Sequence, residues 1–207
     1  MIRTSMNALI HGAFRRDLGR FAAALDEVDD DDQARVAGLK LAWRNFHRQL
    51  VEHHEGEHTT AWPALVSLGV DASVLAEMDG EHDVMASRLS VADAAFGALG
   101  SPGSAESARS ALTGLRGVTE QHFNHEVAVL EPVYLREADS APIKAMERAF
   151  LRHQTPRGAG VFFAWLQDGR SAADRAAIRA LVPGPVLTLL PALLGRSYTR
   201  RIAPLWR

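Results

Sequence analysis

The stretch HHEGEHTTAWPAL at residues 53–65 places a histidine and a glutamate four positions apart, as His53 and Glu57. A second stretch, HFNHEVAVLEPVY at residues 122–134, opens with the same spacing, and in both stretches a proline follows the glutamate by six residues. Residues four apart lie one above the other on an α-helix, so each pair would direct an imidazole and a carboxylate to the same point. The two stretches therefore indicate an internal repeat built on two helices.

A lone histidine precedes each pair at a similar distance. His11 comes 42 residues before His53, and His82 comes 40 residues before His122. Two helical hairpins of the same design explain both distances. Packed together as a four-helix bundle, the hairpins would bring six side chains to one interior level. These are His11, His53, Glu57, His82, His122 and Glu126.

Six polar side chains in an apolar core would be costly to bury unless they bound an ion. Imidazole and carboxylate donors suit iron, manganese or zinc, and carboxylates on facing helices bridge pairs of ions. We therefore predict a dinuclear site with one ion on His11 and His53 and the other on His82 and His122, or a crossed version of this pairing. The two glutamates would bridge the ions. These donors do not fill two octahedral shells, so solvent or a small ligand would occupy the remaining positions.

The fold is expected to be all-α. Apolar residues recur at spacings of three and four over long windows, and alternation at period two is nearly absent. Long helices are expected at about residues 5–28, 33–68, 72–99 and 105–137. The acidic run DDDD at 29–32 and the sequence GSPGS at 100–104 would form turns, Asp71 would cap the third helix, and Pro63 would kink or end the second. This pattern is typical of an up-down-up-down four-helix bundle.

The composition limits the kinds of metal site that are possible, and the charge distribution divides the chain into two parts. The 207 residues include no cysteine, which excludes disulfides, thiolate nucleophiles and iron–sulfur clusters, so any metal must be bound by nitrogen and oxygen. The net charge of −2 conceals an asymmetry, because residues 141–207 hold 11 of the 23 basic side chains but only 3 of the 25 acidic ones. We therefore predict a bundle domain at residues 1–140 and a basic helical extension at 141–207.

The extension is expected to consist of short helices at about 141–153, 159–168, 171–182 and 186–200. It would cover the bundle as a lid through the apolar side chains Phe162, Phe163, Trp165 and Leu166, or offer a basic surface to an acidic protein partner or a membrane face. The longest apolar stretch, at 181–195, is shorter than the roughly 20 residues of a membrane span and contains three prolines. With no signal-peptide pattern and no basic–aromatic stripe, we expect a cytoplasmic protein that binds no nucleic acid.

At the residues quoted above, the sequence resembles the hemerythrin-like (HHE cation-binding) family over about residues 1–138. The signature of that family is a lone His, a His-x-x-x-Glu pair, a second lone His and a second such pair. The resemblance implies a four-helix bundle around a non-haem di-iron centre with an oxo or hydroxo bridge, which binds or redox-processes dioxygen, peroxide or nitric oxide. Zinc or manganese would suit the same donors.

Two departures from the oxygen-carrying members of that family bear on activity. Their third helix supplies two histidines four apart, but Ala86 follows His82 at that spacing here. Their last carboxylate is an aspartate five residues after its histidine, but here it is Glu126 at four. Fewer nitrogen ligands would leave both irons more open, which favours a peroxide- or nitric-oxide-directed oxidoreductase, or a sensor, over reversible oxygen carriage.

Two other functions also fit parts of the sequence. A non-catalytic iron or oxygen sensing or storage module would use the same centre and signal through the basic extension. A zinc hydrolase would use His54-Glu55-Gly56-Glu57-His58, which formally matches the H-E-x-x-H motif, with Glu77 or Glu81 as a third ligand. The hydrolase motif accounts for neither His11 nor the second His-x-x-x-Glu pair, so it explains less of the sequence.

The remaining histidines are expected to support the site or to lie outside it. His54, His58 and His125 neighbour the predicted ligands in sequence, and we expect them to lie around the metals as supporting groups. Whether His54 or His58 contacts a metal directly is left open by the sequence. Tyr134 would lie at the rim of the site. His47 and His153 are expected to be surface or supporting groups.

Overall fold

The structure is a computed structural model that describes residues 4–29 and 31–207. Every regular element within these residues is a helix, which confirms the all-α prediction; the up-down order of the bundle stays a prediction. The α-helices are α1 (Met6–Glu27), α2 (Gln33–Gly56), α3 (Trp62–Ser67), α4 (Ala72–Ala98), α5 (Ser104–Val129), α6 (Glu131–Arg136), α7 (Ala141–His153), α8 (Pro156–Gln167), α9 (Ala172–Leu181), α10 (Gly184–Leu194) and α11 (Arg196–Arg201). A π-helical turn spans Glu57–Ala61, and a 3₁₀ turn spans Ala203–Trp206.

The helix ends follow the capping residues that the sequence indicated. Asp32 caps α2 by accepting a hydrogen bond from the Arg35 backbone N–H, and Asp71 caps α4 through that of Ser73. Of the run DDDD at 29–32, Asp30 lies outside the described residues. The predicted loop at 100–104 is present, with α5 beginning at its last residue, Ser104.

The second predicted helix is interrupted just before Pro63, where the sequence suggested a kink or an end. The π-helical turn separates α2 from α3, and the Trp62 backbone N–H donates to the carbonyl of Glu57, five residues earlier. Pro63 lies in the first turn of α3, and it lacks the N–H that would bond the carbonyl of Thr59. Widening the preceding turn accommodates this proline, and π turns of this kind are frequent at functional sites.

The core consists of stripes at the spacing of an amphipathic helix. On α1 the buried stripe includes Phe14, Leu18, Phe21 and Leu25. Facing helices contribute aromatic rings, with Trp43 stacked on Phe96 at a centroid distance of 4.0 Å and an interplanar angle of 4°, and Phe21 edge-on to both. On α4 and α5 the buried positions also recur every three or four residues: Leu75, Met78, His82, Met85, Leu89, Ala92 and Phe96, then Ala108, Leu112, Leu115, Thr119, His122, Phe123 and Glu126.

The chain divides into two compact units. One comprises Phe14–Ala128, and the other comprises Val129–Arg207 with the start of the chain as far as Ala13. In the second unit, the Arg170 side chain donates to the backbone carbonyls of Leu9 and Leu166. The N-terminal part of α1 is thereby tied to the C-terminal region.

Helices α8 and α10 pack closely in this second unit. A Cβ atom added to Gly195 would lie 2.5 Å from the backbone oxygen of Gly160, so the two segments touch where both lack side chains. The predicted helix at 186–200 is accordingly wrong as a single element, because it breaks at Gly195 into α10 and α11. Phe163, Trp165 and Leu166 are buried. Their predicted role in a lid over the bundle stays a prediction.

Within the described residues, no individual helix has the length and apolar character needed to cross a membrane. Helices α9 and α10 meet that requirement only when taken together, and they are bent by 104° at the break between them.

Candidate metal centre

Five of the six predicted ligands lie in the unit formed by Phe14–Ala128, and each is placed by a long helix or by the turn that follows it. His53 lies in the last turn of α2, and Glu57 is the first residue of the π-helical turn. His82 lies near the middle of α4, and His122 and Glu126 lie one turn apart on α5. The side chains of all five are at most 10% exposed. These polar side chains therefore occupy buried helix positions of the kind that apolar residues fill in the rest of the core.

Glu57 lies between two imidazoles that come from different helices. Its Oε1 atom is 3.2 Å from Nε2 of His53, and its Oε2 atom is 3.4 Å from Nε2 of His82. Neither oxygen accepts a hydrogen bond of normal geometry within the described residues. A buried carboxylate without such bonds is costly, and each of its oxygens here faces a different nitrogen donor.

The two imidazoles from α4 and α5 point their outer nitrogens at each other. Nε2 of His82 lies 3.0 Å from Nε2 of His122. Nitrogen ligands about 2.1 Å from one ion and at right angles around it lie about 3 Å apart, so this separation suits two ligands of a single ion. The two nitrogens and one oxygen of Glu57 thus lie within 4.8 Å of one another.

A fourth side chain, His54, joins this cluster. His54, Glu57, His82 and His122 each offer a ligand atom within 4.8 Å of the others, and His53, Glu57 and Glu126 also lie within 4.8 Å of one another. The two groups share Glu57. The sequence interpretation expected His54 to be a supporting group and left open whether it or His58 contacts a metal; the structure places a ligand atom of His54 among those of the cluster.

His58, the other candidate of this turn, points elsewhere. Its side chain is 67% exposed, and its Nδ1 atom is 2.9 Å from Asp79. A zinc hydrolase of the H-E-x-x-H type needs both histidines of the motif on one ion. Because His54 lies in the buried cluster and His58 does not, the geometry argues against that alternative.

Two carboxylates of α4 lie near the Nδ1 atoms of the histidines, on the side of each ring opposite Nε2. Glu81 approaches Nδ1 of His122 at 2.8 Å and Nδ1 of His125 at 2.9 Å. Asp79 lies 3.7 Å from Nδ1 of His82 and accepts a hydrogen bond of 2.8 Å from the indole of Trp62. Carboxylates in this position fix the ring orientation of metal-binding histidines and make their outer nitrogens better donors.

Burial and neighbouring charges shift the pKa values of three side chains in the cluster. Burial, reinforced by the negative charge of Glu126, raises the pKa of Glu57 well above its usual value. Burial and the neighbouring His122 lower the pKa of His82 to about 4, and burial with the charge of His82 lowers the pKa of His54. The two histidines are therefore neutral at pH 7, which is the state that binds metal.

The other residues singled out from the sequence are placed as follows. His11 is fully buried on α1, and Tyr134 is buried on α6; both belong to the unit that contains the C-terminal region. His125 is 29% exposed and contacts Glu81, which makes it a neighbour of His122. His47 is half-buried on α2, and His153 is exposed at the end of α7.

These donors fit a metal. Imidazole and carboxylate groups are the ligands of non-haem iron, manganese and zinc, and a buried ring nitrogen of His54 has no hydrogen-bond partner in the described part of the chain. A cation would also offset the repulsion between the adjacent carboxylates of Glu57 and Glu126. The sequence interpretation missed Asp79 altogether and considered Glu81 only as a zinc ligand. The spacing of Glu81 to His125 gives no periodic signal, because the two residues come from different helices.

Histidine and glutamate pairs on long buried helices define a class of helical metal-binding proteins. A family model described as the hemerythrin HHE cation-binding domain matches residues 8–134. The chain therefore belongs to the hemerythrin HHE cation-binding family. Comparisons with curated proteins and with solved structures found no match.

Proposed function

We propose that this protein holds two iron ions at the cluster and uses them to bind or redox-process a small molecule such as dioxygen, peroxide or nitric oxide. One observation supports the dinuclear arrangement above others. The two oxygens of Glu57 face different imidazoles, one on α2 and one on α4, at 3.2 and 3.4 Å. A carboxylate that bridges two ions a few ångströms apart presents its oxygens in this way.

His11 is proposed as a further ligand, because the sequence repeat sets one lone histidine before each His-x-x-x-Glu pair. Phe14 lies three residues after His11 on the continuous helix α1, and its ring lies 5.5 Å from the ring of His53. Residues three apart share a helix face, so His11 lies on the same stripe of α1 as Phe14. Full burial of an imidazole on this stripe is consistent with ligation.

The protein residues would position, neutralise and shield the ions. Glu57 and Glu126 would supply the negative charge that offsets the cations, and the imidazoles would supply neutral donors. Phe14 and Phe123 lie against the rings of His53 and His122, at 5.5 and 5.9 Å, and keep that side of the site apolar. When bound, an iron pair supplies one-electron redox chemistry and affinity for small oxygen and nitrogen species.

A small ligand is favoured because the donors are too few. The four imidazoles and two carboxylates predicted from the sequence provide fewer atoms than the twelve or so positions of two octahedral ions. Solvent or a small molecule would occupy the rest. In the described residues the cluster is buried among side chains of the bundle, which suits a diatomic or peroxide better than an organic substrate.

A sensing or storage role is the second candidate, and the charge of the C-terminal region favours it. Exposed arginines are spread over the region, at Arg152, Arg157, Arg175, Arg179, Arg196, Arg200 and Arg201. Such a surface suits an acidic protein partner that would read the state of the centre.

Steady-state turnover distinguishes the two candidates. Iron-loaded protein is assayed for hydrogen peroxide decomposition and for nitric oxide reduction, with the Glu57→Gln variant as the inactive control. Turnover that the variant lacks supports the oxidoreductase. An iron-loaded protein without either activity would leave the sensing or storage module.

A further inference from the structure

We infer that His54 is a direct ligand of the ion held by His82 and His122, so that one of the two metal positions carries three imidazoles. This inference rests on the proposed function, since it specifies the ligands of the same centre. The residue pattern H-x-x-x-E does not include His54, and nothing in the spacing of the two repeats requires it.

The position of His54 on α2 gives it a different neighbour from that of His53. Successive residues of an α-helix point about 100° apart, so two adjacent histidines cannot share one face. The ring of His53 lies against Phe14 of α1 at 5.5 Å, whereas the ring of His54 lies against His82 of α4 at 4.1 Å. The two histidines therefore reach opposite sides of Glu57.

Ring geometry places His54 with the pair from α4 and α5. The His54 ring stacks on His82 at an interplanar angle of 15° and meets the His122 ring edge-on, at 5.7 Å and 84°. The His54 ring therefore lies beside both of the rings whose Nε2 atoms face each other. Each of the three offers a ligand atom within 4.8 Å of the others and of Glu57.

The Nε2 atom of His54 also makes no hydrogen bond with the described residues, 4–29 and 31–207, although it is buried. By contrast, His58, one helical turn later, is 67% exposed and is satisfied by Asp79. A polar atom buried without a partner is rare in native proteins, and an ion would provide the partner.

This assignment changes the expected balance between the two ions. Ala86 removes the second histidine that α4 would otherwise offer to the His82 ion, and His54 supplies a third nitrogen from α2 instead. The ion held by His82 and His122 then has more nitrogen donors than the ion on the His53 side. We expect the two positions to differ in affinity, and loss of His54 to affect one of them selectively.

Metal titration of single variants tests the inference. Wild-type protein, His54→Ala and the control His58→Ala are loaded anaerobically with Fe²⁺ and, separately, with redox-inert Zn²⁺, dialysed and analysed for metal per chain. Wild type and His58→Ala should retain about two equivalents, and His54→Ala about one. Addition of imidazole to His54→Ala should restore the second equivalent, because free imidazole fills the space left by the side chain.

The possible outcomes separate this inference from the proposed function. Two tightly held equivalents in both wild type and His54→Ala would overturn the role of His54 and leave the dinuclear centre intact. Wild-type protein that retains neither metal would overturn both. Circular dichroism of the metal-free forms provides the folding control, and His54→Gln, which keeps a polar side chain of similar length, should show the same loss as His54→Ala if ligation is the reason.

Discussion

Nε2 of His82, on α4, lies 3.0 Å from Nε2 of His122, on α5, in the buried interior of the helical unit formed by Phe14–Ala128. At this distance one imidazole donates a hydrogen bond to the other, or both donate lone pairs to one cation. Carboxylates stand behind both rings, at Asp79 and Glu81. An N–H of His122 directed at Glu81 leaves its Nε2 atom free of a proton, which favours the cation.

Removing the shared carboxylate should disable both metal positions. In Glu57→Gln, the amide cannot bridge two cations, and we expect fewer than one metal ion per chain after dialysis. The metal-free variant should be at least as stable as wild type, because the amide removes the repulsion with Glu126. Metal analysis and thermal unfolding with and without Fe²⁺ measure both effects.

Glu55→Gln is the matched control for that experiment, since Glu55 is exposed two residues earlier. It should bind metal as wild type does. Saturating metal at 100 times Kd should raise the free energy of unfolding of wild type by about 2.7 kcal/mol, and that of Glu57→Gln by far less. Equal metal-dependent stabilisation in wild type and Glu57→Gln would contradict the bridging role.

The carboxylates behind the histidines should tune affinity without binding metal. Glu81→Gln and Asp79→Asn are expected to weaken metal binding by about 10- to 100-fold, as outer partners of metal-binding histidines do. Competition with a chelator gives the affinities. Glu77→Gln, exposed on the same helix, is the control and should show no change. Wild-type affinity in both test variants would argue that the contacts of Asp79 and Glu81 are incidental.

Loss of a ligand from either repeat should reduce both metal content and stability. His53→Ala and Glu126→Ala each remove a predicted ligand, and bound ions tie together helices that are far apart in sequence. His153→Ala, at an exposed position on α7, should alter neither property. The measurements are metal per chain and the midpoint of thermal unfolding. A full metal complement in both test variants would refute the ligand assignment.

A close backbone contact should make the C-terminal region sensitive to a single methyl group. In Gly195→Ala the new Cβ would lie 2.5 Å from the Gly160 oxygen and 2.9 Å from Cα of Pro191. Overpacking of this kind costs about 1–3 kcal/mol, which urea-induced unfolding would detect. Gly184→Ala meets no atom within 4 Å and should cost much less. Equal stability of the two variants would show that α8 and α10 separate easily.

The helical fold and the ligand-bearing helices were predictable because both depend on local spacing. Apolar residues at three and four positions predict the buried stripes of α1, α2, α4 and α5, and Asp32 and Asp71 predict where two helices begin. The pairs His53 with Glu57 and His122 with Glu126 follow from the same periodicity. Family membership over residues 8–134 agrees with the resemblance stated from these pairs.

The contacts between helices were not predictable in the same way. The place of His54 against His82 depends on how α2 and α4 are rotated about their axes, and the sequence states only that each is amphipathic. The π-helical turn at Glu57 depends on how the backbone accommodates Pro63, for which a simple kink is an equally good expectation. Glu81 reaches His122 across 41 residues, a distance that no local pattern encodes.

Metal content, measured on the purified 207-residue chain together with its near-ultraviolet spectrum, tests the dinuclear centre most directly. The account predicts about two irons per chain and an absorption band in the near ultraviolet from the ferric pair, both lost in Glu57→Gln. A single zinc ion per chain with a featureless spectrum, or metal content unchanged in Glu57→Gln, would contradict it.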